Sequence, residues 1–198
     1  MADRLEEHFF LRAVHGNIDD ADMRRRYPED QHFELEGLKV WMTHIGGYPG
    51  RYNRRVREGL QDDPPGLFVC GHSHILKVMP DRKHGLLHIN PGACGHHGFH
   101  KMRTVVRFEI EAGKVQNLEV AELGKRGALP KYVLHHLSHA AGCILSHHLQ
   151  AALLLQFVID GRARIDVIHI GLFAGEAHQS GRRVDLHGGA HDQDDVGR

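Results

Sequence analysis

"LFVCGHSHIL", residues 67–76, decides how the rest of the chain is read. Four apolar residues, Leu67-Phe68-Val69-Cys70, run without a break and stop at Gly71. A short continuous apolar run describes a strand covered on both faces, whereas alternation describes a strand with one wet face. His72 and His74 then follow one residue apart. They stand just past the carboxyl end of that strand, where open α/β sheets place their ligands. With extended backbone there, the two rings lie on one face, one pleat repeat apart. Such a pair suits two neighbouring metal ions with one ligand each, or a single chelated ion.

Histidine is also the compositional anomaly, with 20 among 198 residues, so position has to decide which of them matter. The other totals exclude more than they identify. Lys+Arg and Asp+Glu both number 25, which leaves no electrostatic footprint for nucleic acid or an anionic membrane surface. An apolar content of 41% supports a real core. Cys70, Cys94 and Cys143 are odd in number, far apart and outside any CxxC pattern, so a disulfide framework is not expected and a reducing cytoplasm is. The opening MADRLEEHFF carries no apolar signal-peptide core. The apolar run at 151–159 falls short of the ~20 residues that span a bilayer. The expectation is a soluble cytoplasmic protein with neither nucleic acid nor membrane as partner.

The text changes character near residue 127. Ahead of it, "HFELEGLKVWMTHI" (32–45) reads as two strands joined at Glu36-Gly37, and "PGRYNRRVREGLQDD" (49–63) as a polar, exposed helix with Pro49 near its start. "ILKVMP" and "GLLHI" read as strands, and "TVVRFEIEAGKVQNLEVAEL" as a hairpin around a glycine-containing turn. Strands with helices between them, one strand buried on both faces, predict an α/β sandwich over residues 1–126. Residues 127–198 hold nine of the 20 histidines and a single lysine. They read as an extension: an apolar helix over 133–159 carrying His135, His136, His139, His147 and His148, then a disordered Gly/His/Asp/Arg-rich end from Gly175. A His-rich metal-loading segment is one reading of it, and a misread frame or read-through is another.

Three loops at apparent strand ends carry the chemistry: "VHGNIDD" (14–20), "WMTHIGGYPG" (41–50) and "VCGHSHI" (69–75). Each sets Asn or His beside glycine, which lets backbone approach a ligand closely or take positive φ. With these three in order, residues 14–126 resemble the calcineurin-like metallophosphoesterases, and within them the small YfcE-like phosphodiesterases. The matching text is "GNIDD", "MTHIGGYPGRY", "FVCGHSHIL" and "LLHINPGACG".

That resemblance implies a two-layer β-sandwich flanked by helices, with a binuclear centre at the strand ends. Carried over by position, Asn17, His44 and His72 would hold one metal and His74 would belong to the other. Nitrogen and oxygen donors suit Mn²⁺, the first expectation, and also Zn²⁺, Fe²⁺ or Ni²⁺. The implied reaction is hydrolysis of phosphodiesters or small phosphoesters by a metal-activated water. Asn90-Pro91-Gly92-Ala93 resembles the loop behind the site and reads as supporting it.

Two departures qualify the expectation. The resemblance implies a first strand bearing Asp-x-His and a second ending in Gly-Asp, which complete the shell and bridge the metals. Here MADRLEEHFF stands directly ahead of "LRAVHGNID", and the only later candidates, "VIDGR" and "ARIDVIHI", lie in the extension. The sandwich is therefore expected to be N-terminally truncated and incomplete, weakly active, and open at a sheet edge to association as a homo-oligomer. Secondly, Ile18 follows Asn17 where many members carry a leaving-group histidine. Good leaving groups, diesters or another donor would then be required.

Among the remaining candidates, Asp19 reads as an N-cap or a structural acid more than a general acid. Tyr48, Arg51, Tyr52, Arg54 and Arg55 form either a phosphate-facing rim or a solvated helix face, Arg51 being the best phosphate ligand among them. Trp41, Met42, Cys70 and Cys94 read as packing residues; His96, His97 and His100 follow the NPGACG loop and read as surface residues first, with a place near the metals as the other reading. The alternative function is a non-catalytic interaction scaffold of the same fold, as in the eukaryotic retromer subunit, against which the retained donors argue. A metal-buffering protein is a third.

Overall fold

The computed structural model describes residues 2–8, 10–127, 155–160 and 164–169. Its elements run α1 (Ala2–Glu6), β1 (Phe10–Val14), α2 (Ala21–Arg26), β2 (Asp30–Leu35), β3 (Leu38–Thr43), α3 (Arg54–Asp62), β4 (Leu67–Val69), β5 (Leu76–Asp81), β6 (Leu86–Pro91), β7 (Met102–Glu111), β8 (Lys114–Lys125), β9 (Leu155–Asp160) and β10 (Arg164–His169). The strands make two five-stranded sheets, ordered β1-β9-β10-β7-β8 and β2-β3-β4-β6-β5. Every pairing in the first sheet is antiparallel. The second has three parallel strands, β3, β4 and β6, with an antiparallel strand at each side.

Alternation within the strands explains the layering. Val40, Met42, Leu67, Val69 and Ile89 from the second sheet pack with Val14, Val106, Phe108 and Ile110 from the first, which makes the inner core of the sandwich. Their opposite-face neighbours Trp41, Phe68 and Cys70 join Tyr52, Val56, Leu60 and Leu86 in an outer core under α3. β4 is thus wrapped on both faces, as its unbroken apolar run requires. Phe68 sits edge-on to Trp41 and Tyr52 with centroids 5.2 and 5.5 Å apart, and Phe68→Ala would cost about 3–5 kcal/mol.

Several expectations need correction. The polar helix begins only at Arg54, because Asn53 caps it by accepting from the Val56 N–H at 2.8 Å; Pro49 lies in the loop before it. That helix is amphipathic, with Val56 and Leu60 buried. The apolar helix expected over 133–159 gives way to strand at residues 155–159, where Val158 and Ile159 favour the pleated surface. Its earlier part, with His135, His136, His139, His147 and His148, lies outside the described residues, as does the stretch expected to be disordered from Gly175. β9 pairs with β1 and β10 with β7, so the strands flanking the expected open edge are joined through this hairpin. Among the described residues no helix is long and apolar enough to cross a membrane.

Candidate metal centre

Because β3, β4 and β6 run parallel, their carboxyl ends lie at one rim of the second sheet, and the loop after β1 meets them there. His44 follows β3, His72 and His74 follow β4, Asn90 ends β6, and Asn17 follows β1. The side chains of three of them converge. Nε2 of His44 is 3.0 Å from Oδ1 of Asn17. Nδ1 of His72 is 3.1 Å from the same oxygen and 3.2 Å from Nε2 of His44. Three donors gripping one transition-metal ion at about 2.1 Å stand roughly 3.0–3.4 Å from each other, so the residues present fit such an ion. His44 is buried, while Asn17 and His72 face solvent, which leaves one side open. Among the described residues no third His, Cys, Asp or Glu joins His44 and His72.

The backbone holds the three loops in register. The Gly71 N–H donates to the His44 carbonyl at 3.0 Å, tying the second loop to the third. Asn53 donates through Nδ2 to the Ile45 carbonyl at 2.6 Å, fastening His44's loop to α3. Gly47 has φ +86°, and a Cβ there would meet the Arg51 carbonyl oxygen at 2.4 Å, so the turn requires glycine. Buried Asn90 reaches behind the histidine loop, donating to the Gly71 carbonyl at 2.8 Å and to Ser73 Oγ at 3.1 Å. Its Oδ1 accepts from the Gly92 N–H at 3.1 Å.

The loop of Asn17 is clamped by two residues. Asp19 Oδ2 accepts from the Gly16 N–H at 2.6 Å, so its carboxylate is engaged inside the loop, and the N-cap of α2 is Asp20 instead. Arg24 donates to the carbonyls of Asn17 and Asp19, each at 2.8 Å. Sequence reading missed Arg24, whose one signal is its place one turn into the helix that follows.

His74 departs from the expected geometry. His72 and His74 have φ of 65° and 58°, left-handed backbone that turns the segment away from extended form. His72 meets Asn17 and His44, but the His74 ring packs edge-on to His100, centroids 5.4 Å apart and planes at 72°. Burial, aided by His100 and His72, holds the His74 imidazole below its usual range, and burial does the same for His100. His100 is thus half-buried beside a site residue and not the plain surface group expected, while His97 is exposed. His96 lies 3.1 Å from Arg103 through Nε2, its Nδ1 2.8 Å from the Arg126 carbonyl.

The arginine rim is reduced. Arg55 pairs with Asp30 and donates to Thr43 Oγ1 at 2.9 Å, and Arg54 pairs with Glu58 at 2.7 Å. Arg51 is exposed and, among the described residues, forms no ion pair. Tyr52 is buried in the outer core. Cys70 and Cys94 are buried, and burial pushes both thiols up to about 12, so they act as packing groups.

A family model for the calcineurin-like phosphoesterase superfamily domain matches residues 1–113. The chain belongs to this superfamily. Among solved structures, this phosphoesterase-superfamily chain resembles a Thermotoga maritima protein at 25% identity, covering 56% of this chain and 64% of that one, TM-score 0.42. It therefore spans less than two thirds of that relative. It also resembles a novel archaeal phosphodiesterase (18% identity, 56% and 67% covered, TM-score 0.41) and Vps29 of Entamoeba histolytica complexed with Zn²⁺ (17%, 55% and 67%, 0.41). Among curated proteins, none matches the sequence.

Proposed function

We propose that the chain hydrolyses phosphodiesters or small phosphoesters in a metal-dependent way, with Asn17, His44 and His72 holding the ion. The convergence of their three donor atoms within 3.0–3.2 Å carries this reading. A bound divalent ion, Mn²⁺ foremost, would supply Lewis acidity and a water acidic enough to deprotonate near neutrality. The chain's own residues do the rest. Asn17 contributes a neutral carbonyl oxygen and the two histidines neutral nitrogens, a set that leaves the ion's charge for a phosphoryl group. Arg51, exposed and outside any ion pair among the described residues, is the residue we assign to grip phosphate oxygens through paired N–H groups. Asp19 is the remaining candidate acid, but its engagement with Gly16 favours a loop-holding role. Ile18, half-exposed beside Asn17, cannot donate a proton, so esters with acidic leaving groups suit the site.

Without a carboxylate beside His44 and His72 among the described residues, turnover is expected to be slow. The test is hydrolysis of bis-p-nitrophenyl phosphate with and without added Mn²⁺. A Mn²⁺-dependent rate that His72→Ala abolishes is expected. Mn²⁺ binding identical in wild type and His72→Ala, with turnover by neither, would sink the assignment and favour a non-catalytic scaffold.

A further inference from the structure

Arg103, in β7, carries a charge that the described residues do not balance. The residue is 4% exposed, which takes its guanidinium out of water. Nη1 stands 3.1 Å from Nε2 of His96, and Nη2 donates to the Leu123 carbonyl at 2.5 Å. Nδ1 of His96 in turn lies 2.8 Å from the Arg126 carbonyl oxygen. A carbonyl only accepts, so Nδ1 carries the proton and Nε2 offers its lone pair to Arg103. Both partners of the guanidinium are therefore neutral. Its Nε is buried and has no hydrogen-bond partner among the described residues. Burial pushes Arg103 below its ordinary range, opposed by the Cys94 thiol and by no carboxylate among the described residues. A buried cation without a counter-charge is costly, and an unsatisfied buried donor calls for a ligand.

Space and charge are both available at this corner. Beyond its chain neighbours, a Cβ at Gly124 would meet only Nη2 of Arg103, at 3.9 Å, so open room adjoins the guanidinium. Met102 pairs with Lys125 across β7 and β8, and the Arg126 N–H donates to the Lys101 carbonyl at 3.0 Å. Lys101, Lys125 and Arg126 are exposed. Among the described residues neither they nor Arg103 form an ion pair. We propose that this corner is an anion site for a phosphate group, with Arg103 as its buried anchor and Lys101 and Arg126 at its mouth. Guanidinium N–H groups match the oxygens of phosphate or carboxylate in pairs. Several cations at one corner favour doubly charged phosphate over a single carboxylate. The site uses none of the donors after β1, β3 and β4, so it stands apart from the metal-dependent reading. His96 and His100 share the loop between β6 and β7, so a bound phosphate bears on the segment that packs against His74.

The test uses the full chain at neutral pH with EDTA present, so that no metal-held phosphate contributes. Inorganic phosphate is added at constant ionic strength, with chloride as the balancing anion. The Arg103 Nε–H signal, assigned through bonds from its own backbone, is followed by proton–nitrogen correlation. A saturable shift is expected, and acetate at the same ionic strength should produce it only at higher concentration. Lys101→Gln and Arg126→Gln change exposed side chains and leave the buried anchor in place. Each should lower the apparent phosphate affinity roughly two- to fivefold. An Arg103 signal unmoved by phosphate overturns the proposal, as when a carboxylate from beyond residue 127 already fills the corner. Acetate binding as tightly as phosphate overturns the assignment to phosphate. A phosphate affinity unchanged when both exposed cations are removed together overturns it as well.

Discussion

Nδ1 of His72 stands 3.2 Å from Nε2 of His44, although 28 residues separate them. Strand pairing makes this contact. Trp41 lies opposite Phe68 and Met42 opposite Val69 in parallel register, so the loops that follow leave the sheet side by side. The Gly71 N–H on the His44 carbonyl then fixes their spacing. Two imidazoles and one amide oxygen are thereby directed at a common point, an arrangement that would lower the ordering cost of binding the proposed ion.

Removing His72 should uncouple binding from folding. Its side chain is exposed, so His72→Ala is expected to change thermal stability little. Metal affinity should fall on the order of a hundredfold or more, since even supporting partners account for roughly 10–100-fold. Parallel Mn²⁺ titration and thermal melts check this; a melt shifted as far as the affinity would contradict it.

Asn90 should behave in the opposite manner. Asn90→Ala leaves the Gly71 carbonyl and the Gly92 N–H without their buried partner. The expected loss is about 1–3 kcal/mol of stability per orphaned group, with metal affinity lowered roughly 10–100-fold through the loosened His72 loop. Urea unfolding with and without Mn²⁺ separates the two effects. Unchanged metal affinity in the variant would show that Asn90 serves folding alone.

Acid should destabilise the fold through His88. It is fully buried against Phe68 and Tyr52, and both its ring nitrogens lack partners among the described residues. Burial, with Lys77 adding repulsion against the attraction of Asp81, pushes its imidazole down to about 4 from an ordinary 6.5. Between those values the unfolded chain binds the proton and the folded one does not. Stability is therefore full above pH 6.5 and falls as pH drops toward 4, by on the order of 3 kcal/mol. His88→Leu should flatten that window in urea melts taken from pH 7 to pH 4; an unchanged slope would assign the loss elsewhere.

Deleting the β9–β10 hairpin should expose two strands at once. Among the described strands, β1 and β7 are bridged only through it in the first sheet. A chain ending at residue 127 is expected to lose much of its cooperative unfolding and to associate through the unpaired edges. Light scattering and melts of the shortened chain test this, and a monomer melting like the full chain would show that the hairpin adds nothing.

How much of this was legible in the sequence follows from the range of the interactions involved. The rim of donors could be read because glycine beside Asn or His at a strand end is a local signal, and Asn17, His44 and His72 do meet. Both covered faces of β4 were legible in four consecutive apolar letters. The swing of His74 toward His100 was not, because left-handed backbone at non-glycine residues has no periodic signature. Nor was the cap at Asp20, since Asp19 beside it is equally suited chemically and only the Gly16 contact decides. The hairpin was missed for a different reason: its apolar letters suit a buried helix as well as a strand, and only pairing with β1 and β7 distinguishes them.

The left-handed turns at His72 and His74 also bear on how this protein could be improved. A non-glycine residue in that conformation costs roughly 1 kcal/mol or more, and glycine or asparagine adopts it more readily. Selection for heat resistance alone would accordingly reach positions 72 and 74 early, replace both histidines, and return a sturdier chain with the proposed metal-binding rim erased. Any stabilisation campaign therefore has to hold these two positions fixed and look to the outer core under α3 instead.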